Sequence, residues 1–214
     1  MDRGRTRWIF DGHIAGVGTA SGTRLVLGCW THSPFGPFGD VMVERPDGHR
    51  VLLAPDRRTA RFIAATYVFD EVRTEPVRVT VRGDRWTVTS DSLTLRFTTG
   101  RRGPPGLALR AVPRVLAARP RWIEAVNLPA RLLRGVRTHG TAGGGRHEWY
   151  GARDLRPVRG ADAVFEGEDL GPQAAVVPPV RFGFGSTPRR PCLVRVTTTV
   201  AGPRTGSPPR SAAR

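Results

Sequence analysis

The sequence predicts one mainly β domain over residues 1–200, an antiparallel barrel-like or sandwich structure with a few short helices. Three observations predict it. Strand-like runs recur at short spacing along most of the chain, their apolar residues alternate with a period of two, and Gly, Pro and Asp-Gly turns separate them. A chain of 214 residues also fits one domain of about 100–200 residues.

The elements follow in chain order. Ile14 to Val17 reads as a short strand and Arg24 to Trp30 as a longer one. Asp40 to Glu44 and Arg50 to Leu53 flank Arg45-Pro46-Asp47-Gly48, where proline fixes φ and glycine is free to take positive φ, so a hairpin is expected. Asp56 is placed to cap a helix from Arg57 to Tyr67, with Ala60, Ile63, Ala64 and Tyr67 on one face. Then come three strands, Pro76 to Arg82, Arg85 to Thr89 and Leu93 to Thr98, with Val77, Val79, Val81, Trp86, Val88, Leu93, Leu95 and Phe97 at alternate positions. Leu107 to Leu133 carries helical apolar spacing, but Pro113, Pro120 and Pro129 break it into two or three short helices. Val180 to Phe184 and Leu193 to Val200 read as strands again. Residues 201–214 have nothing to bury and are expected to form a disordered basic tail.

The net charge is +16, and all 34 basic residues are arginine. With no lysine, Schiff-base, lysine-base and P-loop chemistry are excluded, because those steps need an amine whose pKa burial can lower. Residues 101–159 hold 13 arginines against 3 acids, so the excess is concentrated there. Segment 101–137 is therefore the candidate for an anionic membrane surface or nucleic acid. The bland alternative is arginine stems covering apolar helices in a composition set by a GC-rich genome. No apolar run of about 18 residues is present, so no transmembrane helix is expected. No apolar segment follows the N-terminus, and Cys29 and Cys192 are expected as reduced thiols of a cytoplasmic protein.

Several motifs have bland readings. Gly16 to Gly22 resembles a dinucleotide loop, but a strand rather than a helix follows it, so it reads as a hairpin turn. Cys29 and His32 have CxxH spacing, yet His13, His139, His147 or Cys192 would have to converge on them to hold a metal, and Cys29 reads as core. Phe182 and Phe184 sit beside arginines as in an RNA-binding strand, but equally as core. Neither a cofactor nor a metal motif is found. The most unusual stretch is Thr138 to Tyr150, three consecutive glycines flanked by His139, Arg146, His147, Glu148, Trp149 and Tyr150. It is either a flexible hairpin or a ligand-facing loop.

Ser33-Pro34-Phe35-Gly36-Pro37-Phe38-Gly39-Asp40-Val41-Met42-Val43 resembles a segment of the acetoacetate decarboxylase superfamily, where such a stretch leads through an acidic residue into a strand. The resemblance implies a β-barrel-like fold around a small-molecule pocket, with Asp40 in the acidic position. It also implies a lysine nucleophile that this chain lacks.

The function expected from the sequence is binding of a small, partly apolar, anionic ligand in a barrel cavity without lysine catalysis. The candidate ligand-facing residues are His32, Asp40, His139, Arg146, His147 and Tyr150, whose segments break the strand pattern. The alternatives are the anionic-surface binder and an enzyme with a His, Asp or Glu base. Oligomeric state is left open.

Overall fold

The computed structural model describes residues 5–113, 123, 139–183 and 187–203. In chain order these form β1 (Arg5–Thr19), β2 (Arg24–His32), β3 (Phe38–Glu44), β4 (Arg50–Ala54), α1 (Arg57–Ala64), β5 (Glu71–Thr74), β6 (Arg78–Arg82), β7 (Arg85–Thr89), β8 (Leu93–Thr99) and α2 (Pro104–Ala111). β9 (His139–Ala142), a 3₁₀ turn at Gly143–Gly145, β10 (Arg146–Phe165), β11 (Glu168–Asp169), β12 (Gln173–Ala174) and β13 (Cys192–Pro203) follow.

The strands form one large mixed sheet in the order β5-β4-β3-β2-β1-β13-β10-β8-β7-β6. It does not close into a barrel. All neighbours on this path are antiparallel except β4 and β5, whose parallel pairing is reached through the α1 crossover. The sheet instead folds over on itself, and β10 is the strand that turns the corner. Its first half pairs with β13 and its last residues with β8. Register shifts at Ala152/Asp154 and Val158/Gly160 mark the bend, as expected of bulges, which kink a strand and increase its twist.

This fold-over encloses the main core. Ala15, Val17, Leu25, Leu27, Val41, Val43, Val51 and Leu53 pack with Trp86, Val88, Leu95 and Phe97. The other face of β1–β4 is covered too. Leu52 and Ala54 pack with Ala60 and Ile63 of α1, while Val176, Val180 and Phe182 pack against Val26 and Met42. Burial on both faces explains why Val51-Leu52-Leu53-Ala54 is apolar at every position.

Local chemistry sets the boundaries. Asp56 Oδ1 accepts from Thr59 N at 2.8 Å and caps α1. In the β3–β4 turn Gly48 takes φ +91°, which a side chain would strain, and His49 N donates to Asp47 Oδ1 at 2.8 Å. Glu44 is fully buried and accepts from Arg24 Nη2 (3.1 Å), Arg181 Nε (2.9 Å) and Arg181 N (2.7 Å), tying the segment before β13 to β3.

The predicted hairpin over 40–53 and the antiparallel strands over 76–99 are present, and of the Gly16–Gly22 stretch only Ala20 to Gly22 form the β1–β2 turn, Gly16 to Thr19 being the end of β1. Other expectations change. The short strand at Ile14–Val17 is part of a 15-residue strand. The predicted strand at Val180–Phe184 is irregular over the described residues 180–183. The unpredicted β10 spans 20 residues. β13 continues through residues 201–203, which pair with β1, and 204–214 lie outside the described residues. Of the arginine-rich segment 101–137 only 101–113 and Ile123 are described, and there Arg102 is bound to Asp154 at 2.7 Å. The remainder of that expectation, Trp122 included, lies outside the described residues, as does Phe184. Among the described residues no helix is long and apolar enough to cross a membrane.

Candidate functional site

Residues directly opposite one another in neighbouring strands point to the same side of a sheet. That rule assembles the site. Phe38 lies opposite Trp30 and Trp30 opposite Gly12. Asp40 lies opposite Gly28, and Gly28 opposite Ile14. Phe10 lies opposite Thr198 and Thr198 opposite Tyr150; Trp8 lies opposite Val200 and Val200 opposite Glu148. Five strands thus display two carboxyls and a set of aromatic rings on the face that α1 covers.

The first carboxyl is Asp40, 2% exposed. Its Oδ1 accepts from Trp30 Nε1 at 2.9 Å, its one hydrogen bond among the described residues. The side chain lies over β2, and a Cβ on Gly28 would fall 2.3 Å from Oδ1, so glycine is what makes room for it. Burial pushes its pKa up to about 6, against the pull of the Trp30 hydrogen bond.

The second is Glu148, 1% exposed. Tyr67, just past the end of α1, brings its Oη within 3.0 Å of Glu148 Oε1 and 2.7 Å of Tyr150 Oη, and Tyr150 Oη donates to Glu148 Oε2 at 3.2 Å. These three contacts close a ring. Two phenols bring two hydrogens, so an ionised Glu148 leaves one contact without a proton, whereas a protonated one supplies the third and the bonds run one way round. Burial acts in the same direction, raising the Glu148 pKa to about 7 despite the hydrogen bonds from both tyrosines and the nearby Arg146 charge. Burial, and next the Glu148 charge, push both phenols well above their ordinary range.

Arg146 is held away from the carboxyls by other partners. Its Nη1 donates to Phe62 O at 2.8 Å and to Thr66 Oγ1, and its guanidinium lies 4.5 Å from the Phe62 ring centre and 5.4 Å from that of Trp8. Phe10, Trp30, Phe35, Phe38 and Phe62 form a connected set of rings, with Phe35 5.1 Å from Phe62 and Phe10 5.5 Å from Trp30. Trp8, Trp30, Phe35, Phe38, Phe62, Tyr67 and Tyr150 are each only half-buried, so the rings around the two buried carboxyls keep solvent-facing edges. Thr198, 3% exposed beside Tyr150, has a buried Oγ1 with no hydrogen-bond partner among the described residues.

Of the predicted site residues, the structure brings Asp40, Arg146 and Tyr150 to this face. Glu148 lies between the last two at alternate positions of β10. His147 falls on the opposite side of β10 with its ring 5.2 Å from Trp149, and His139 lies opposite Trp149. His32 is exposed at the end of β2, next to Thr31 Oγ1 at 3.2 Å. Sequence reasoning named Glu148 in the glycine-rich stretch and Tyr67 on the helix face but did not place them, Trp30 or Thr198 among the ligand-facing residues. The i, i+2, i+4 series Arg146, Glu148, Tyr150 was the available signal for Glu148. Nothing local signalled Tyr67 or Thr198. A separate groove of about 290 Å³, on the outside of β8 and β10 at Thr94, Arg96 and Asp162, contains none of these residues.

Chemically, the site offers a carboxyl that titrates near neutrality inside a chain of hydroxyls, a composition suited to proton transfer, and a second buried acid beneath aromatic rings. Among the described residues no group of three His, Cys, Asp or Glu could hold a metal ion.

No protein-family model and no curated protein matches the chain. Among solved structures it is similar to acetoacetate decarboxylase from Legionella pneumophila subsp. pneumophila str. Philadelphia 1, at 9% identity and a TM-score of 0.42, over 92% of this chain and 85% of that one. It is similar in the same degree to the protein of another acetoacetate decarboxylase structure, at 8% identity and a TM-score of 0.42, over 95% of this chain and 88% of that one. No functional statement rests on likenesses of this size.

Proposed function

We propose that the chain binds a small molecule on the face of β1–β3, β13 and β10, its apolar part against the aromatic rings and its polar end at Asp40 and the Glu148 ring. The observation that carries this reading is a buried polar floor beneath half-buried aromatic side chains. Large rings with accessible edges around polar groups of fixed orientation are the usual make-up of a ligand site. On this reading the chain is a lysine-free relative of the acetoacetate decarboxylase superfamily, keeping a binding face without Schiff-base chemistry. The acid–base character of Glu148 leaves turnover as an additional capacity of the same site rather than a competing one.

A library of small fragments, each with one apolar ring and one polar group, tests the reading by thermal shift. Hits that raise the melting temperature of the wild type and lose the shift in both Phe35→Ala and Asp40→Asn support it. A library without stabilising fragments, or hits indifferent to both substitutions, overturns it.

A further inference from the structure

The other side of β1 and β13, the one that faces the main core, carries a second polar cluster. Moving outward along these strands, the inner surface turns from apolar to charged. Buried Ala15 is followed by His13 and Asp11, and buried Leu193 by Arg195. His13 lies opposite Arg195 and Arg195 opposite Asp154, so the three share this side, as does Arg156, which lies opposite Leu193. Arg195 is also the diagonal neighbour of Arg156, a separation that long side chains span. Arg153 is the extra residue of the bulge between Ala152 and Asp154, and it too reaches Asp11.

Two carboxylates serve four guanidinium groups. Asp11 Oδ1 accepts from Arg153 Nη2 at 2.5 Å and from Arg195 Nη2 at 3.2 Å, so two arginines meet over one oxygen. Asp154 is engaged by Arg102, whose Nε lies 2.9 Å from both its oxygens. Arg156 has no hydrogen bond or ion pair among the described residues, and the Nε atoms of Arg153, Arg156 and Arg195 are all buried without an acceptor there. The cluster is thus left with two positive charges. His13 adds none near neutrality, because burial and next the Arg195 charge lower its pKa. Like charges held together with unpaired donors destabilise a fold, and an anion among them removes both penalties. Solvent reaches the cluster, since the Arg195 side chain is 38% exposed against 12% for Arg153. Guanidinium forks match phosphate oxygens in geometry, and a phosphate group carries about the missing charge, roughly −1.5 to −2 at neutral pH.

We propose that this cluster binds a phosphate group, with Arg156 and Arg195 donating to its oxygens while Asp11 and Arg153 hold Arg195 in place. The site lies on the opposite side of the sheet from the α1 face and does not depend on the reading given for that face. It also gives the arginine excess of residues 101–159 a use, because Arg102, Arg153 and Arg156 belong to that segment and meet Arg195 through strand pairing.

Inorganic phosphate, phenyl phosphate and phenyl sulfate, titrated against the full chain by calorimetry slightly above neutral pH, test the proposal. Phenyl sulfate has the shape of the phosphate ester with a single negative charge and is expected to bind more weakly. Arg156→Gln and Arg195→Gln should each weaken phosphate binding by about tenfold to a hundredfold, the span of a hydrogen bond to a charged group. Arg156 has no described partner to lose, so its variant guards against misfolding of the other. Arg78→Gln, at an exposed arginine of β6, controls for the general loss of a positive charge and should change nothing. Free phosphate that binds as tightly as the ester, or more so, marks the ion itself as the ligand, and a tighter ester marks a phosphorylated small molecule; either supports the site. Failure of both phosphates to bind, a sulfate ester that binds as tightly, or binding indifferent to Arg156→Gln and Arg195→Gln overturns it. None of these variants touches the α1 face, so the outcome is independent of the fragment test.

Discussion

Replacing Glu148 with glutamine exchanges a carboxyl that titrates near neutrality for an amide of the same shape with no proton to lose. The magnitude follows from the displacement of its pKa. Burial takes the group from an ordinary 4.5 to about 7 in the folded chain, which corresponds to about 3 kcal/mol. The folded state holds the proton more tightly than the unfolded state. Stability from this group is therefore fully present below about pH 4.5 and is lost as the pH rises through about 7. The glutamine variant has no such dependence, and its amide can still donate one hydrogen bond and accept another within the ring. Urea unfolding followed by tryptophan fluorescence, at several pH values from about 5 to 8, measures the difference between the two proteins. Asp40 is common to both and drops out. The stability of Glu148→Gln relative to wild type should rise by about 3 kcal/mol over that range, with most of the change complete by about pH 8. Parallel curves, or a wild type that gains on the variant as the pH rises, would refute a protonated Glu148 and with it the closed ring of hydroxyls.

Two further substitutions probe the floor of the site. Gly28→Ala places a methyl 2.3 Å from Asp40 Oδ1 and 2.7 Å from Trp30 Nε1 on a backbone that any residue can adopt, so the whole effect is contact. It should cost about 1–3 kcal/mol and change Trp30 emission as the Trp30–Asp40 hydrogen bond breaks, and an unchanged spectrum with unchanged urea midpoint would contradict the packing. Thr198→Val should instead stabilise the free protein by about 1 kcal/mol, because it removes a buried hydroxyl that bonds to no described residue; destabilisation on denaturant titration would show that the hydroxyl has a partner.

Where the sequence was read correctly, the signal was local. The alternation from Trp86 to Phe97 encodes one buried and one more solvated face, whereas in β6 it does not, since Val81 is exposed; Asp56 three residues before Thr59 encodes a helix start, so neither signal needs distant residues. β10 was missed for the opposite reason. Arg146 to Gly160 lacks a clean apolar alternation because it bends at two bulges and changes partner from β13 to β8, so no single face of it is buried throughout. Val180–Gly183 misled in the other direction: its apolar residues cover the sheet from outside it, and burial alone does not make a strand.

The sequence by itself determined the β class, the hairpins, the helix cap and the absence of amine chemistry, because each depends on residue type or short spacing. It put Asp40 and Tyr150 among the candidate residues but not the reason they share a face. Tyr67 meets Glu148 across 81 positions of chain, and Thr198 meets Tyr150 only because β13 lies between β1 and β10. Strand order and register decided which carboxyls share a face, what is buried with them and which donors reach them. The charge a site prefers depends on desolvation and on the few groups within hydrogen-bond reach. A net charge of +16 summed over the chain therefore does not specify which groups meet on one face.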